Sequence, residues 1–369
     1  MVARPVSVTL RANRALVETV ITLGPMNRRI VTLLAALVPV IVLGVVGTMV
    51  TVPFVALGPG PTFNTLGVVD NKQVVDIEGT PVDPTSGNLN MTTVSVRDQL
   101  NIFEAFGFWA SGRHGLVPRS EVYPPEKSKE EIEESNKADF QSSEDKAETA
   151  ALRQLKKDYP VGLQVGDVSD QGPAKDALKR DDQLVSIDGV PVQTVRNVQD
   201  VVAGKKPGSQ VAVAFRREGK DETATVTVGA RPDDKSKGYL GVTPVEKPVV
   251  PFDVDFNLAD IGGPSAGLMF SLAVVDKLSP DELSGGKFIA GTGTIEDDGE
   301  VGPIGGIPYK MIAAREAGAS AFLVPAKNCD EARQRTPDGL RLIKVDALSD
   351  AVTSLEKLRS GATDLPSCG

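Results

Sequence analysis

The chain has 369 residues, 41% hydrophobic and 24% charged, which is typical of globular protein and long enough for two or three domains. Its formal charge of -9 is unevenly placed: Arg4, Arg11, Arg14, Arg28 and Arg29 against Glu18 make the first 29 residues about +4, so the remainder is about -13. So acidic a body excludes nucleic acid as an expected partner, and one histidine with two distant cysteines leaves a metal site without ligands.

In chain order, residues 1–29 form a basic tail and residues 30–52 a nearly continuous apolar run, with no charged residue between Arg29 and Asp70. Roughly 20 such residues span a bilayer core. A cleaved signal peptide has a shorter apolar region, about 7 to 15 residues, and a small-x-small exit, for which Val52-Pro53-Phe54-Val55-Ala56-Leu57 is a poor substitute. The run therefore reads as an uncleaved single-pass anchor in the plasma (inner) membrane. The arginines before it place the tail in the cytoplasm and everything after about residue 55 outside.

Gly58-Pro59-Gly60-Pro61 is a stiff connector, and residues 62–97 read as short strands, among them Gln73-Val74-Val75-Asp76-Ile77 and Asn90-Met91-Thr92-Thr93-Val94-Ser95-Val96. Residues 98–112 look helical around Leu100, Ile102, Phe103, Phe106 and Trp109. Residues 119–148 hold ten acidic and five basic residues, and their default reading is a solvated helix-loop. Residues 53–158 are thus a connector whose strands are candidates to complete the C-terminal sheet, which would make the unit between them an insertion.

Residues 159–230 alternate strand, turn and helix. Val161 to Val165 is a strand, Gly172-Pro173-Ala174 opens a short helix, Asp188-Gly189 turns a hairpin, and residues 194–203 form a helix with Val195, Val198, Val201 and Val202 on one side. With Leu178 and the block Asp182-Gln183-Leu184 to Gly189, this resembles a PDZ domain; Asp181 stands where that family usually has Gly, in a left-handed turn that Asp tolerates. The resemblance implies capture of an extended peptide and its terminal carboxylate. That role is expected of Val161, Gly162 and Leu163, with the helix at 194–203 as the other wall. A unit that only packs against the rest of the molecule is the bland alternative.

Residues 238–369 read as alternating strands and helices. In Gly262-Gly263-Pro264-Ser265-Ala266-Gly267, Pro264 suits a first helical position and Ser265 the first turn, where free amides and the helix dipole can stabilise an oxyanion. Gly262, Gly263 and Gly267 leave room for a substrate carbonyl, and Ala266 completes the approach. Taken alone, the serine is better read as a helix cap. In Gly305-Gly306-Ile307-Pro308-Tyr309-Lys310, a lysine occupies the first turn of another helix, on a stripe with Ala313, Ala314 and Ala317. An apolar floor and a positive helix end both lower a lysine pKa, which suits a general base.

These blocks, with Thr292-Gly293-Thr294-Ile295, Gly302-Pro303-Ile304-Gly305-Gly306 and Ala313 to Ala319, resemble the proteolytic domain of Lon proteases. The resemblance implies a Ser265–Lys310 dyad supported by Thr292; the Asp usual before the Gly-Pro-Ser run is Gly262 here, which leaves its role unfilled. Lon unfolds substrates with an ATPase, whereas this sequence holds no G-x-x-x-x-G-K-[ST] loop, so neither nucleotide nor other cofactor is expected. Lon-type domains often form rings, so a homo-oligomer is compatible with the resemblance. Cys329 and Cys368 are either a disulfide pinning the C-terminal tail, which the outside location permits, or two free thiols.

The expected fold is α+β: one transmembrane helix, a β-rich PDZ domain with two helices, and a Lon-type α/β proteolytic domain, in an order that resembles bacterial membrane-anchored Lon-like proteases. The expected function is ATP-independent serine endopeptidase activity on unfolded or PDZ-presented proteins outside the cytoplasm. The alternative is a membrane-tethered PDZ adaptor, catalytically inactive, that binds peptide C-termini. A Ser-His-Asp triad would have to use His114, whose setting offers no support.

Overall fold

The computed structural model describes residues 28–369 apart from Asp158, Asp260 and Asp281. The tail at 1–29 lies outside the described residues except for its last two positions. The principal elements are α1 (Arg28–Met49), β1 (Phe54–Asn64), β2 (Val75–Glu78), β3 (Asn88–Arg97), α2 (Ile102–Ser111), β4 (Gly115–Pro118) and α3 (Lys129–Gln154). Then come β5 (Val161–Val168), β6 (Gln183–Ile187), α4 (Val195–Ala203), β7 (Gln210–Arg217), β8 (Lys220–Thr227) and β9 (Val242–Pro248). The chain ends with β10 (Asp253–Phe256), α5 (Gly267–Leu278), β11 (Phe288–Gly291), α6 (Ile307–Ala317), β12 (Ala321–Pro325), β13 (Arg341–Val345) and α7 (Leu348–Arg359).

The apolar run at 30–52 folds as α1, whose 22 residues reach about 33 Å, enough for a hydrocarbon core of about 30 Å. Its side chains are exposed, Leu33 at 70% and Leu43 at 68%, and among the described residues it is the one helix long and apolar enough to cross a membrane.

Beyond it lies a six-stranded sheet in the order β13-β12-β11-β3-β1-β4. The first four are parallel neighbours and the last two pair antiparallel. The join is β3 against β11, with Leu89 opposite Ile289 and Met91 opposite Gly291. Strands from residues 54–97 and from the C-terminal region therefore share one sheet, and β2 pairs with β10 across the same gap in sequence. One large core fills the space between this sheet and helices α3, α5 and α7, and holds Leu89, Phe140, Phe270 and Leu323.

Helix α3 corrects the reading of residues 119–148 as a solvated segment. Its first turns are exposed, but Phe140, Ala147, Ala150, Ala151 and Leu152 are buried against α5, and Phe140 meets Phe270 edge-on with ring centres 5.6 Å apart. The apolar stripe is hidden in the sequence because alanine supplies most of it and because Glu144, Asp145 and Glu148 interrupt it. Those carboxylates face cations from the next unit: Lys247 lies 3.3 Å from Glu148 and 3.6 Å from Asp145, and Arg180 lies 2.8 Å from Asp145.

The inserted unit is a second sheet in the order β8-β7-β6-β5-β9, with its own core of Leu163, Val165, Leu178, Val213 and Phe215. Asp181 adopts φ 68, the left-handed turn expected of it. Val161 pairs with Pro248, so the chain enters and leaves this unit at adjacent points. At the C-terminus, Cys329 and Cys368 form a disulfide that closes the tail over α6 and β12.

Candidate active site

Ser265 lies just before α5 rather than in its first turn: the helix begins at Gly267 with Ala266 as its cap. The reason is in the backbone. The Ser265 carbonyl accepts the Gly293 N–H at 3.1 Å and the Thr292 hydroxyl at 3.1 Å, so it is withdrawn from the helical ladder and Ala266 provides the first helical acceptor, for Phe270 at 3.0 Å. Pro264 accordingly precedes the helix. Gly267 does not widen the substrate approach either; a Cβ there would lie 2.6 Å from Ile295 and 2.8 Å from Ser143, so its missing side chain lets α5 start hard against α3 and residue 295.

Lys310 comes from α6, which starts after Gly306 at φ 73 and stops at Gly318 at φ 107. The lysine does not snorkel: it is 3% exposed, and its Nζ lies 2.7 Å from Ser265 Oγ and 3.0 Å from Thr292 Oγ1. Desolvation pushes its pKa down to about 7, because the charged amine gives up water without gaining a carboxylate. Thr292 is fully buried, and its hydroxyl proton is committed to the Ser265 carbonyl, so it presents lone pairs to the amine. A neutral amine that donates to Thr292 keeps its own lone pair for the serine hydroxyl.

Ser265 and Lys310 open onto a cleft of about 560 Å³. Its lining includes Met91, Thr93 and Val94 of β3, Pro303, Ile304 and Gly305, and the loop at 262–264. The pairing of β3 with β11 stops at Met91, so residues 92–95 of β3 have no strand neighbour on that side, and Thr93 and Val94 among them line the cleft. Such an edge accepts an extended chain.

The loop at 262–264 is held from α3, which sequence reading did not anticipate. The Gly263 N–H donates to the Asn136 carbonyl at 2.8 Å, and the Ser143 hydroxyl donates to the Pro264 carbonyl at 3.1 Å. The Gly263 amide is thus committed to α3, while the residue itself lines the cleft with open space where a Cβ would stand, and its φ of 84 explains the glycine. Gly262 lines the cleft. Among the described residues none accepts the Ser265 or Ala266 amide hydrogen, and both sit at the dipole-positive end of α5. His114 is elsewhere, stacked on Phe108 at 4.5 Å.

The peptide-binding edge expected at Val161, Gly162 and Leu163 is not open. These residues pair with Pro248, Lys247 and Glu246 of β9. The free edge of that sheet, beside α4, belongs to β9 itself, and Glu246 Oε1 accepts the Val195 N–H at 3.0 Å. Ending the unit at residue 230 left β9 out of the count. Pro244 and Pro248 also disguised it as a strand, since proline is tolerated only where no ladder hydrogen bond is needed, as at an edge.

Comparison with known proteins agrees with the two bodies. The PDZ domain family model matches residues 138–228, and the Lon protease (S16) C-terminal proteolytic domain matches residues 259–356. A Lon protease of Campylobacter jejuni is 36% identical over 94 residues, which are 24% of this chain and 12% of that protein. A probable periplasmic serine endoprotease, DegP-like, of Pseudomonas savastanoi is 28% identical over 221 residues, 53% of this chain and 40% of that one. The crystal structure of the PDZ domain of an SdrC-like protein from Listeria monocytogenes is 31% identical, covering 23% of this chain and 87% of that one with a TM-score of 0.22. The chain thus spans about an eighth of the Lon relatives' length, and it carries a PDZ domain and a Lon-type proteolytic domain.

Proposed function

We propose that the chain is a membrane-anchored, ATP-independent serine endopeptidase in which Ser265 is the nucleophile and Lys310 the general base. The observation that carries this reading is the 2.7 Å separation of Lys310 Nζ and Ser265 Oγ, with the lysine buried and its pKa near 7. A serine hydroxyl is a weak nucleophile until a base takes its proton. As Oγ bonds to the scissile carbonyl carbon, the proton passes to Nζ. The carbonyl oxygen, now anionic, faces the amides of Ser265 and Ala266. The Lys310 ammonium then protonates the departing amine; the lysine, neutral again, takes a proton from water as that water attacks the acyl carbon, and returns it to Ser265 Oγ as the ester bond breaks.

The residues 92–95 edge supports an extended, unfolded substrate strand, and the β9 edge supports presentation of a second segment by the PDZ domain. Anchoring through α1, with both domains on the outer side of the inner membrane, is supported by the apolar length of α1, the basic tail before it and the Cys329–Cys368 disulfide, since such bonds persist in oxidising compartments. The 369 residues hold no phosphate loop, which supports a reading in which this body cleaves without nucleotide.

The test is a serine-directed covalent inhibitor with mass mapping of the adduct, alongside cleavage of an unfolded protein without ATP. Ser265 should carry the label, and Ser265→Ala and Lys310→Ala should each lose cleavage by at least about a thousandfold, as loss of a nucleophile or its base does. Wild-type rates in both variants would sink the assignment of Ser265 and Lys310, whereas neither cleavage nor label in the unaltered protein would leave the adaptor reading.

A further inference from the structure

We propose that α2 is a membrane-surface helix, which lays an aromatic face into the outer lipid interface beside the anchor. The inference rests on reading α1 as the membrane span. Its starting point is that α2 is fastened to the end of α1: Thr51 and Asn101 form a β-bridge, the Val52 N–H donates to the Leu100 carbonyl at 2.8 Å, and a Cβ at Gly47 would meet the Phe103 ring at 2.6 Å. Wherever the outer end of α1 leaves the hydrocarbon, α2 is at that depth.

Helix α2 is two-faced in an unusual sense. Its inner face places Ala105 in a small core with Ala56 and Leu100. Its outer face exposes Phe103 at 54%, Phe106 at 64% and Trp109 at 66%, beside the exposed Ile102 and Phe54. Residues 102, 103, 106 and 109 follow a helical spacing that keeps them on one side. Water is a poor neighbour for such a patch, and exposed apolar area of this kind marks an interaction surface.

The chemistry of the patch matches a lipid interface. Glu104 is the one charged residue of α2, and its carboxylate accepts the Asn101 N–H at 2.9 Å in a capping box, which holds the charge at the helix start. Aromatic rings favour the headgroup boundary, and amphipathic helices settle about 5–10 Å into it. Continuity with α1 selects lipid over a soluble protein as the occupant, because any partner on this face must share the plane where the span ends. The contact would also orient the catalytic cleft: α2 packs on β1 and β4, and β1 is paired along β3, which lines the cleft.

Trp109 is the chain's only tryptophan, so tryptophan emission of the full-length protein, excited at the red edge where tyrosine does not absorb, reports this patch alone. The protein is reconstituted into phosphatidylcholine vesicles with or without bromine near the top of the acyl chains, and insertion of α1 is scored separately by resistance to alkaline carbonate. The expected result is carbonate-resistant protein whose Trp109 emission is blue-shifted, loses most of its intensity to the brominated lipid and is shielded from aqueous iodide. Phe103→Ser with Phe106→Ser should reverse the quenching while carbonate resistance persists. Inserted protein with Trp109 open to iodide overturns the inference and leaves the anchor intact. Trp109 shielded from both quenchers means a second protein copy covers it, which also overturns the inference. Extraction by carbonate defeats the anchor reading and this inference together.

Discussion

In the proposed mechanism Lys310 sets the pH behaviour of the site, since only its neutral form can take a proton from Ser265. With its pKa near 7, kcat/KM should fall about tenfold per pH unit below that value and level off above it. Stability should move in the same direction for a separate reason. An unfolded lysine titrates near its ordinary 10.5, so between about 7 and 10.5 the unfolded chain binds a proton that the folded one does not, and stability rises with pH across that window. Lys310→Met should therefore abolish activity yet stabilise the fold by on the order of 2–4 kcal/mol at pH 7, the gain shrinking toward pH 10. Thermal unfolding of both proteins at pH 7 and pH 10 checks this, and a constant difference would contradict it. Ser265 and Lys310 could be singled out in the sequence because each is framed by glycine and proline near a helix start, and their pairing was expected from the resemblance to Lon. Asn136 and Ser143 could not be, because they act through backbone groups of residues more than 120 positions away, and no local pattern encodes that.

Helix α3 is the element that couples these residues to the rest of the fold. It lies along α5 over its second half, and from it Asn136 and Ser143 reach the loop before Ser265. Phe140 stands between those two contacts, 4% exposed and edge-on to Phe270. Phe140→Ala should cost about 3–5 kcal/mol, the usual penalty for emptying a large aromatic site in a core. It should also slow acylation of Ser265 at temperatures where the protein is still folded, because the loop loses its backing. Denaturant unfolding and inhibitor-labelling rates measure the two effects separately, and loss of stability with an unchanged labelling rate would detach α3 from the site. The strands that sequence reading placed best, such as residues 321–325, are continuous apolar runs buried on both faces. It failed on α3 and on β9, where alanine and glutamate in one and proline in the other conceal elements fixed by tertiary contact.

For the molecule as a whole, the decisive feature is that the PDZ body is attached at one place twice. Val161 and Pro248 are paired neighbours, so residues 161–248 can be replaced by a few Gly and Ser residues without moving the ends. The ion cluster across this junction makes the comparison informative. Lys247 is 8% exposed and bridges Asp145, Glu148 and Asp181. Lys247→Met in the intact chain strands buried carboxylates and should cost about 3–5 kcal/mol. Excision of the whole body removes Lys247 and Arg180 but also returns Glu144, Asp145 and Glu148 to water, so the desolvation cost disappears with its compensation. The excised protein should thus keep a proteolytic body that unfolds cooperatively, and a Ser265 that still accepts the covalent inhibitor. It should lose only those protein substrates that depend on the β9 edge. Circular dichroism melting and labelling of the two variants side by side test the argument: an excised protein less stable than Lys247→Met would mean that the PDZ body is a structural part of the protease core rather than a unit docked on it.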